Sequence, residues 1–211
     1  MKLKKIASLM LAGVMAVSML AGCSGNNTDD NKGEGETSTA TSYSTELRTA
    51  MTGAAKERVT AVANSKLDSA LEQNVKKYFV ITDYADITNI DAVQVDLDDE
   101  NAVIYNNLVK SMNAEKGIVA ALDDDNTKTT TAVNLYVVNA TTSDEYALEQ
   151  IAGMIGIVDL PKTSADTNYK YTYDISASIV TKTVTSSVVQ GVETGVKYIA
   201  VAVTQNVTKV V

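Results

Sequence analysis

Histidine and tryptophan are absent from this 211-residue chain, and cysteine, proline and phenylalanine occur once each. Without histidine there is no imidazole for acid–base chemistry, for a Ser-His or Cys-His pair, or for a His-ligated metal. The lone cysteine, Cys23, has no partner within the chain, so a disulfide framework is excluded. With no Trp and only Phe79, a Trp-lined ligand cleft is excluded too. Basic residues are also in deficit: 18 Lys+Arg stand against 26 Asp+Glu, a formal net charge of −8. Such a balance argues against nucleic acid and against anionic lipid headgroups as partners held by bulk charge.

What is present begins with a basic start, Lys2, Lys4 and Lys5, followed by an apolar run from Ile6 to Leu20. Small residues and the cysteine then close it as Leu20-Ala21-Gly22-Cys23. A run of that length reads as a secretory leader over residues 1–22, being too short for a spanning helix. Its end resembles the lipobox of bacterial lipoproteins. The resemblance implies cleavage after Gly22, a diacylglycerol on the Cys23 thiol and fatty-acyl chains of the palmitate type. It places the mature protein on the extracytoplasmic face of the cell membrane, in the cell envelope, held by lipid alone. Each buried CH2 of the two chains contributes about 0.8 kcal/mol, so two chains give a stable anchor. The three leader lysines depart with it, leaving the mature chain more acidic still.

Ser24 to Ser42 carries no large apolar residue and reads as a disordered tether, so residues 23–42 form a lipidated leash. Residues 43–211 are long enough for one domain with a real core. From Tyr43 to Tyr78, apolar residues Leu47, Met51, Ala55, Val59, Val62, Leu67, Leu71, Val75 and Tyr78 recur three to five apart. This spacing predicts a long N-terminal helix, or two stacked ones broken near Asn64-Ser65, where Ser65 and Asp68 have capping-box spacing.

The middle of the chain looks duplicated. Ala92–Leu97 matches Ala132–Val137, and Gly117-Ile118-Val119 matches Gly156-Ile157-Val158 at nearly the same offset. Between the members of each pair lies a helical pattern. The first carries Val103, Ile104, Leu108, Val109 and Met112 behind Asp98-Asp99-Glu100. The second carries Tyr146, Ala147, Ile151 and Met154 behind a capping box of Thr142 and Glu145. Two strand–helix–strand units in series predict an α+β fold with a ferredoxin-like βαββαβ sheet, both helices on one face. Short second strands are expected near Gly117–Leu122 and Gly156–Leu160. After Pro161, alternation over Tyr169–Ile179 and Val196–Val207 predicts a C-terminal β-hairpin extending the sheet.

Few features point to chemistry. Asp96, Asp98 and Glu100, and again Asp123 and Asp125, alternate like calcium ligands. An EF-hand loop needs Gly at its sixth position and Glu at its twelfth. Counted from Asp96 these are Asn101 and Asn107; counted from Asp123 they are Lys128 and Asn134. The acidic residues are therefore read as helix-start and turn residues. Tyr169, Tyr171 and Tyr173 could form a stacking platform, but their face continues into Ile175, Ala177 and Ile179, the pattern of a core face at its rim. Leu160-Pro161-Lys162-Thr163-Ser164 is similar to a sortase motif yet lacks the apolar span and basic tail that should follow. No Ser-x-x-Lys follows Cys23, and no Gly-x-Ser-x-Gly occurs. Paired-carboxylate chemistry on Asp or Glu needs no histidine and stays open.

The reading is a non-catalytic, lipid-anchored binding or envelope-assembly module with a protein partner, no cofactor, no metal and Cys23 as its one modification site. A small-ligand-binding or sensory domain is the alternative. Mass spectrometry of the native product should find an acylated N-terminal Cys23, and Cys23→Ala should leave the leader attached and the chain free of lipid. An unacylated mature chain would defeat the lipobox reading.

Overall fold

A computed structural model describes residues 39–79, 90–96, 101–185 and 193–210. Cys23, most of the expected tether, and Asp98, Asp99 and Glu100 lie outside the described residues. Ala40–Val211 is one compact unit. In chain order its elements are α1 (Thr39–Ala50), α2 (Gly53–Lys56), β1 (Val59–Ala61), α3 (Ser65–Tyr78), β2 (Val93–Gln94), α4 (Ala102–Met112) and β3 (Glu115–Lys116). There follow α5 (Ile118–Ala121), β4 (Thr130–Asn139), α6 (Asp144–Met154), a 3-10 turn (Ile157–Asp159), β5 (Tyr169–Thr185) and β6 (Glu193–Lys209).

The strands form one six-stranded mixed sheet in the order β1-β5-β6-β4-β2, with β3 also paired to β4. β5 and β6 pair antiparallel along their whole length, from Tyr169 opposite Lys209 to Thr185 opposite Glu193. β4 lies antiparallel on the other side of β6, while β1 runs parallel to β5 and β3 parallel to β4. The expected C-terminal strand pair is thus present, and each strand is longer than its alternation suggested.

Alternation decides where the helices go. On one face, Tyr136 and Val138 of β4, Ile199, Val201 and Val203 of β6 and Tyr173, Ile175 and Ala177 of β5 pack with Leu47 and Met51 of the α1 region and Ala147, Leu148 and Ile151 of α6. On the other, Val133, Leu135 and Val137 of β4 and Tyr198, Ala200 and Ala202 of β6 pack with Leu67, Leu71 and Val75 of α3 and Ile104, Leu108 and Val109 of α4. Each fully buried Leu, Ile or Val contributes roughly 1.5–3 kcal/mol. Since β4 and β6 are apolar on both sides, neither face can be left to water, and the body has three layers.

That constraint corrects the ferredoxin-like expectation. The two helices of the apparent repeat, α4 and α6, lie on opposite faces of a mixed sheet, not together on an antiparallel one. The expected second strands are helical turns instead. Gly117 (φ 76°) and Gly156 (φ 70°) bend the chain into α5 and the 3-10 turn. Each turn buries its isoleucine, Ile118 or Ile157, in the same core and leaves Val119 or Val158 exposed.

The long N-terminal helix is likewise not formed. α1 and α2 give way to β1, and α3 starts afresh with Asn64 as its N-cap, the side chain accepting from Leu67 N at 3.0 Å. The break near Asn64-Ser65 is real, but the cap is Asn64, not Ser65. The reason is that the apolar stripe serves two cores. Leu47, Met51, Ala55 and Val59 belong to one face and Leu67, Leu71 and Val75 to the other, so the chain must cross the sheet edge between them. The α6 cap also shifts by one. Ser143 accepts from Tyr146 N at 3.2 Å, while the Thr142 hydroxyl donates to Ile90 O at 3.1 Å. α1 begins at Thr39, inside the stretch read as tether.

Gly156 and Gly153 make a matched test. A Cβ on Gly156 would meet Val119 Cγ2 at 2.9 Å on left-handed backbone, whereas one on Gly153, in α6, would meet nothing within 4 Å. Gly156→Ala should cost about 1–3 kcal/mol and Gly153→Ala should add about 0.5–1 kcal/mol. Denaturant unfolding of both variants reads the difference, and equal effects would contradict this backbone.

Candidate functional site

Polar groups gather at both ends of the face covered by α1 and α6. At one end the Lys197 ammonium, on β6, is buried. It donates to the Thr142 carbonyl at 2.6 Å and pairs with the Asp144 carboxylate. Asp144 opens α6, where the positive helix end favours a carboxylate. Tyr43 of α1 also bonds Asp144, and its hydroxyl is held above the ordinary tyrosine range, chiefly by burial and then by that charge. A nucleophilic lysine needs a free amine. Here the nitrogen is engaged on two sides, and the cluster ties α1, α6 and β6 together. Nothing in the sequence signalled it, because Lys197 and Asp144 are 53 residues apart.

At the opposite end, the acidic turn after α5 is fastened from below. Gln205, fully buried, donates to Asp123 O at 2.9 Å and to the Tyr173 hydroxyl at 3.2 Å, and accepts from Asn126 Nδ2 at 2.8 Å. The Tyr171 hydroxyl donates toward Asp124 O and Asn126 O at 3.1 and 2.9 Å. Asp123 Oδ1 accepts from Asp125 N at 3.1 Å, closing an Asx turn. The turn reading of Asp123–Asn126 holds, and among the described residues no three carboxylates gather around one point. Asp96 is exposed.

The tyrosine stripe is core. Tyr171 and Tyr173 are buried beside Ile175 and Ala177, Tyr169 is half-buried, and the Tyr173 hydroxyl donates to Pro161 O at 2.6 Å. The opposite side of β5 is wet only at its start. Ser176 and Ser178 are buried beneath α3, and Asn64 Nδ2 donates to Ser176 Oγ at 3.2 Å. Lys162–Ser164, from the sortase-like stretch, runs beside β5: Tyr171 N bonds Lys162 O, and Ser164 N bonds Tyr169 O, both at 3.0 Å.

Two surfaces remain. The first is an open groove of about 520 Å³ between α1 and α6. It is lined by Thr45, Glu46, Thr49 and Ala50 on one side and Glu145, Leu148 and Glu149 on the other. The second is the outer edge of β5, where odd-numbered residues turn their N–H and C=O away from β6. Along most of this edge those groups are engaged. Lys162 and Ser164 cover Tyr169 and Tyr171, β1 covers Tyr173 to Ile175, and Ser44 Oγ accepts from Ala177 N at 3.1 Å. Beyond that, no described residue pairs with the outward N–H groups of Ile179, Thr181 and Thr183, and both threonines are exposed. The sequence reading ended this strand at Ile179. Its β-branched run, Ile179-Val180-Thr181, was the available signal.

Among the described residues no helix is long and apolar enough to cross a membrane. No protein-family model, no curated protein and no solved structure matches the chain.

The buried hydroxyls give a pH prediction. Burial pushes Tyr136 and Tyr173 up to about 12 from 10.0, opposed by bonds with Asn134 and Gln205 respectively. Folding thus favours the neutral phenol. Stability is whole below pH 10 and is lost as pH climbs toward 12. The denaturant midpoint should fall across that window, and Tyr136→Phe should flatten part of the fall. A midpoint that stays level up to pH 12 would contradict the burial of both groups.

Proposed function

We propose that this is a lipid-anchored extracytoplasmic protein, tethered through Cys23, whose α/β body is a non-catalytic binding or envelope-assembly module. The leader residues Leu20-Ala21-Gly22-Cys23 support the anchor, and the acidic balance leaves lipid, not charge, to hold the membrane. The observation that carries the binding role is the edge of β5 from Ile179 to Thr183, whose outward N–H groups no described residue pairs. Exposed edge strands are templates for another backbone, and proteins ordinarily cover them. In this reading the polar clusters around Lys197 and Gln205 are fastenings, since their donors and acceptors are spent on backbone and neighbouring side chains.

A second reading, a small-ligand or sensory domain, is favoured by the groove between α1 and α6. Its three glutamates would suit a cationic ligand.

Native cells should carry the protein in the membrane fraction, open to protease added outside, and Cys23→Ala should abolish its lipid-dependent retention. Recovery of the wild type from the cytosol, protected from protease, would end the anchored reading. A thermal-shift screen with polyamines, sugars, peptides and metal ions separates the two roles. No shift is expected for the assembly module, and a several-degree rise with a polyamine, lost in Glu145→Gln/Glu149→Gln, would favour the groove.

A further inference from the structure

We infer that the edge of β5 from Ile179 to Thr183, unpaired among the described residues, pairs antiparallel with the same edge of a second copy, joining two six-stranded sheets across a two-fold axis. This rests on the assembly reading above and names the partner it needs. The complement of a row of outward N–H and C=O groups is an extended backbone, because no side-chain surface offers donors and acceptors at strand spacing. Three occupants can supply one: a segment of the same chain outside the described residues, such as the tether, a foreign segment or a second copy. The tether is rich in Gly, Asn and Asp, residues depleted in strands, so it is a poor pairing partner.

The edge is complementary to itself. Antiparallel pairing requires outward residues to meet outward residues, which places odd numbers opposite odd numbers. Centred on Thr181, the register sets Thr181 against Thr181, Ile179 against Thr183 and Lys182 against Val180. Thr–Thr and β-branched pairs are favourable cross-strand neighbours, and the only charge in the segment meets an apolar residue, not its own copy. The overlap has a natural limit, since Ala177 N is already taken by Ser44 Oγ. Copies anchored in one membrane leaflet also share a high effective concentration, so a short interface suffices where free monomers would separate.

The test uses the full lipidated chain in detergent micelles, with mass measured by light scattering across a dilution series. The wild type should show a monomer–dimer equilibrium. Thr181→Pro removes one outward donor and leaves every bond to β6 in place, since the Thr181 N–H points away from β6. It should weaken the dimer at least about tenfold while circular dichroism and Tm stay close to wild type. Hydrogen exchange on the unaltered protein covers the case in which the proline variant misfolds. The amides of Ile179, Thr181 and Thr183 should gain protection as concentration rises, while those of exposed Thr60 and Lys170 should not. A wild type that is monomeric throughout, or a dimer whose edge amides exchange freely, overturns the inference. Either result leaves the anchor untouched, because membrane retention and protease access measure that separately.

Discussion

Everything in this body is organised by the placing of β6. It is bonded along its length to β5 on one side and from Val196 to Gln205 to β4 on the other. Its side chains are buried above and below: Ile199, Val201 and Val203 face one core, and Val196, Tyr198, Ala200 and Ala202 the other. A strand that is apolar on both faces cannot sit at a surface. Helices on both sides, the passage of the chain around the β1 edge, and the fastening of the acidic turn by Gln205 all follow from that requirement.

The polar interior obeys the same logic. Every described buried side-chain polar atom has a partner. Tyr198 donates to Asn101 Oδ1 at 2.9 Å, and Tyr105 donates to Val133 O at 2.7 Å while its oxygen receives Gly117 N at 3.2 Å. These bonds contribute only about 1 kcal/mol each, but leaving a buried group unmatched would cost more. They fix where each helix end and turn lies, including the N-terminus of α4 and the Gly117 bend. Arg58 does similar work between distant segments, with Nη1 within 3.2, 2.6 and 2.5 Å of the carbonyls of Ile157, Val158 and Leu160.

How much of this could be read from the residues depends on how local each signal is. Helices α4 and α6 and strands β4, β5 and β6 were legible because one face of each has a single, regular periodicity. The helix expected over Tyr43–Tyr78 failed because its stripe mixes residues belonging to two cores, a division visible only once the sheet exists. The supposed strands at Gly117 and Gly156 failed because Gly-Ile-Val has the β-branched residues of a strand but not the length. The glycine in each case supplies a bend that composition does not advertise. The Lys197–Asp144–Tyr43 cluster and the stretch of the β5 edge that no described residue pairs were out of reach for a related reason: both are properties of elements brought together from far apart.

The order in which the strands are made bears on how the chain acquires its shape. The scaffold strands β4, β5 and β6 lie in the second half of the sequence, yet α1 through α5 precede all three. β1 closes against Tyr173–Ile175, more than a hundred positions downstream. As the chain emerges, its early helices lack the sheet that buries their apolar faces, so native packing is completed only when the last strand is in place. Were the proposed leader to direct export, such postponement would keep the chain open for its passage.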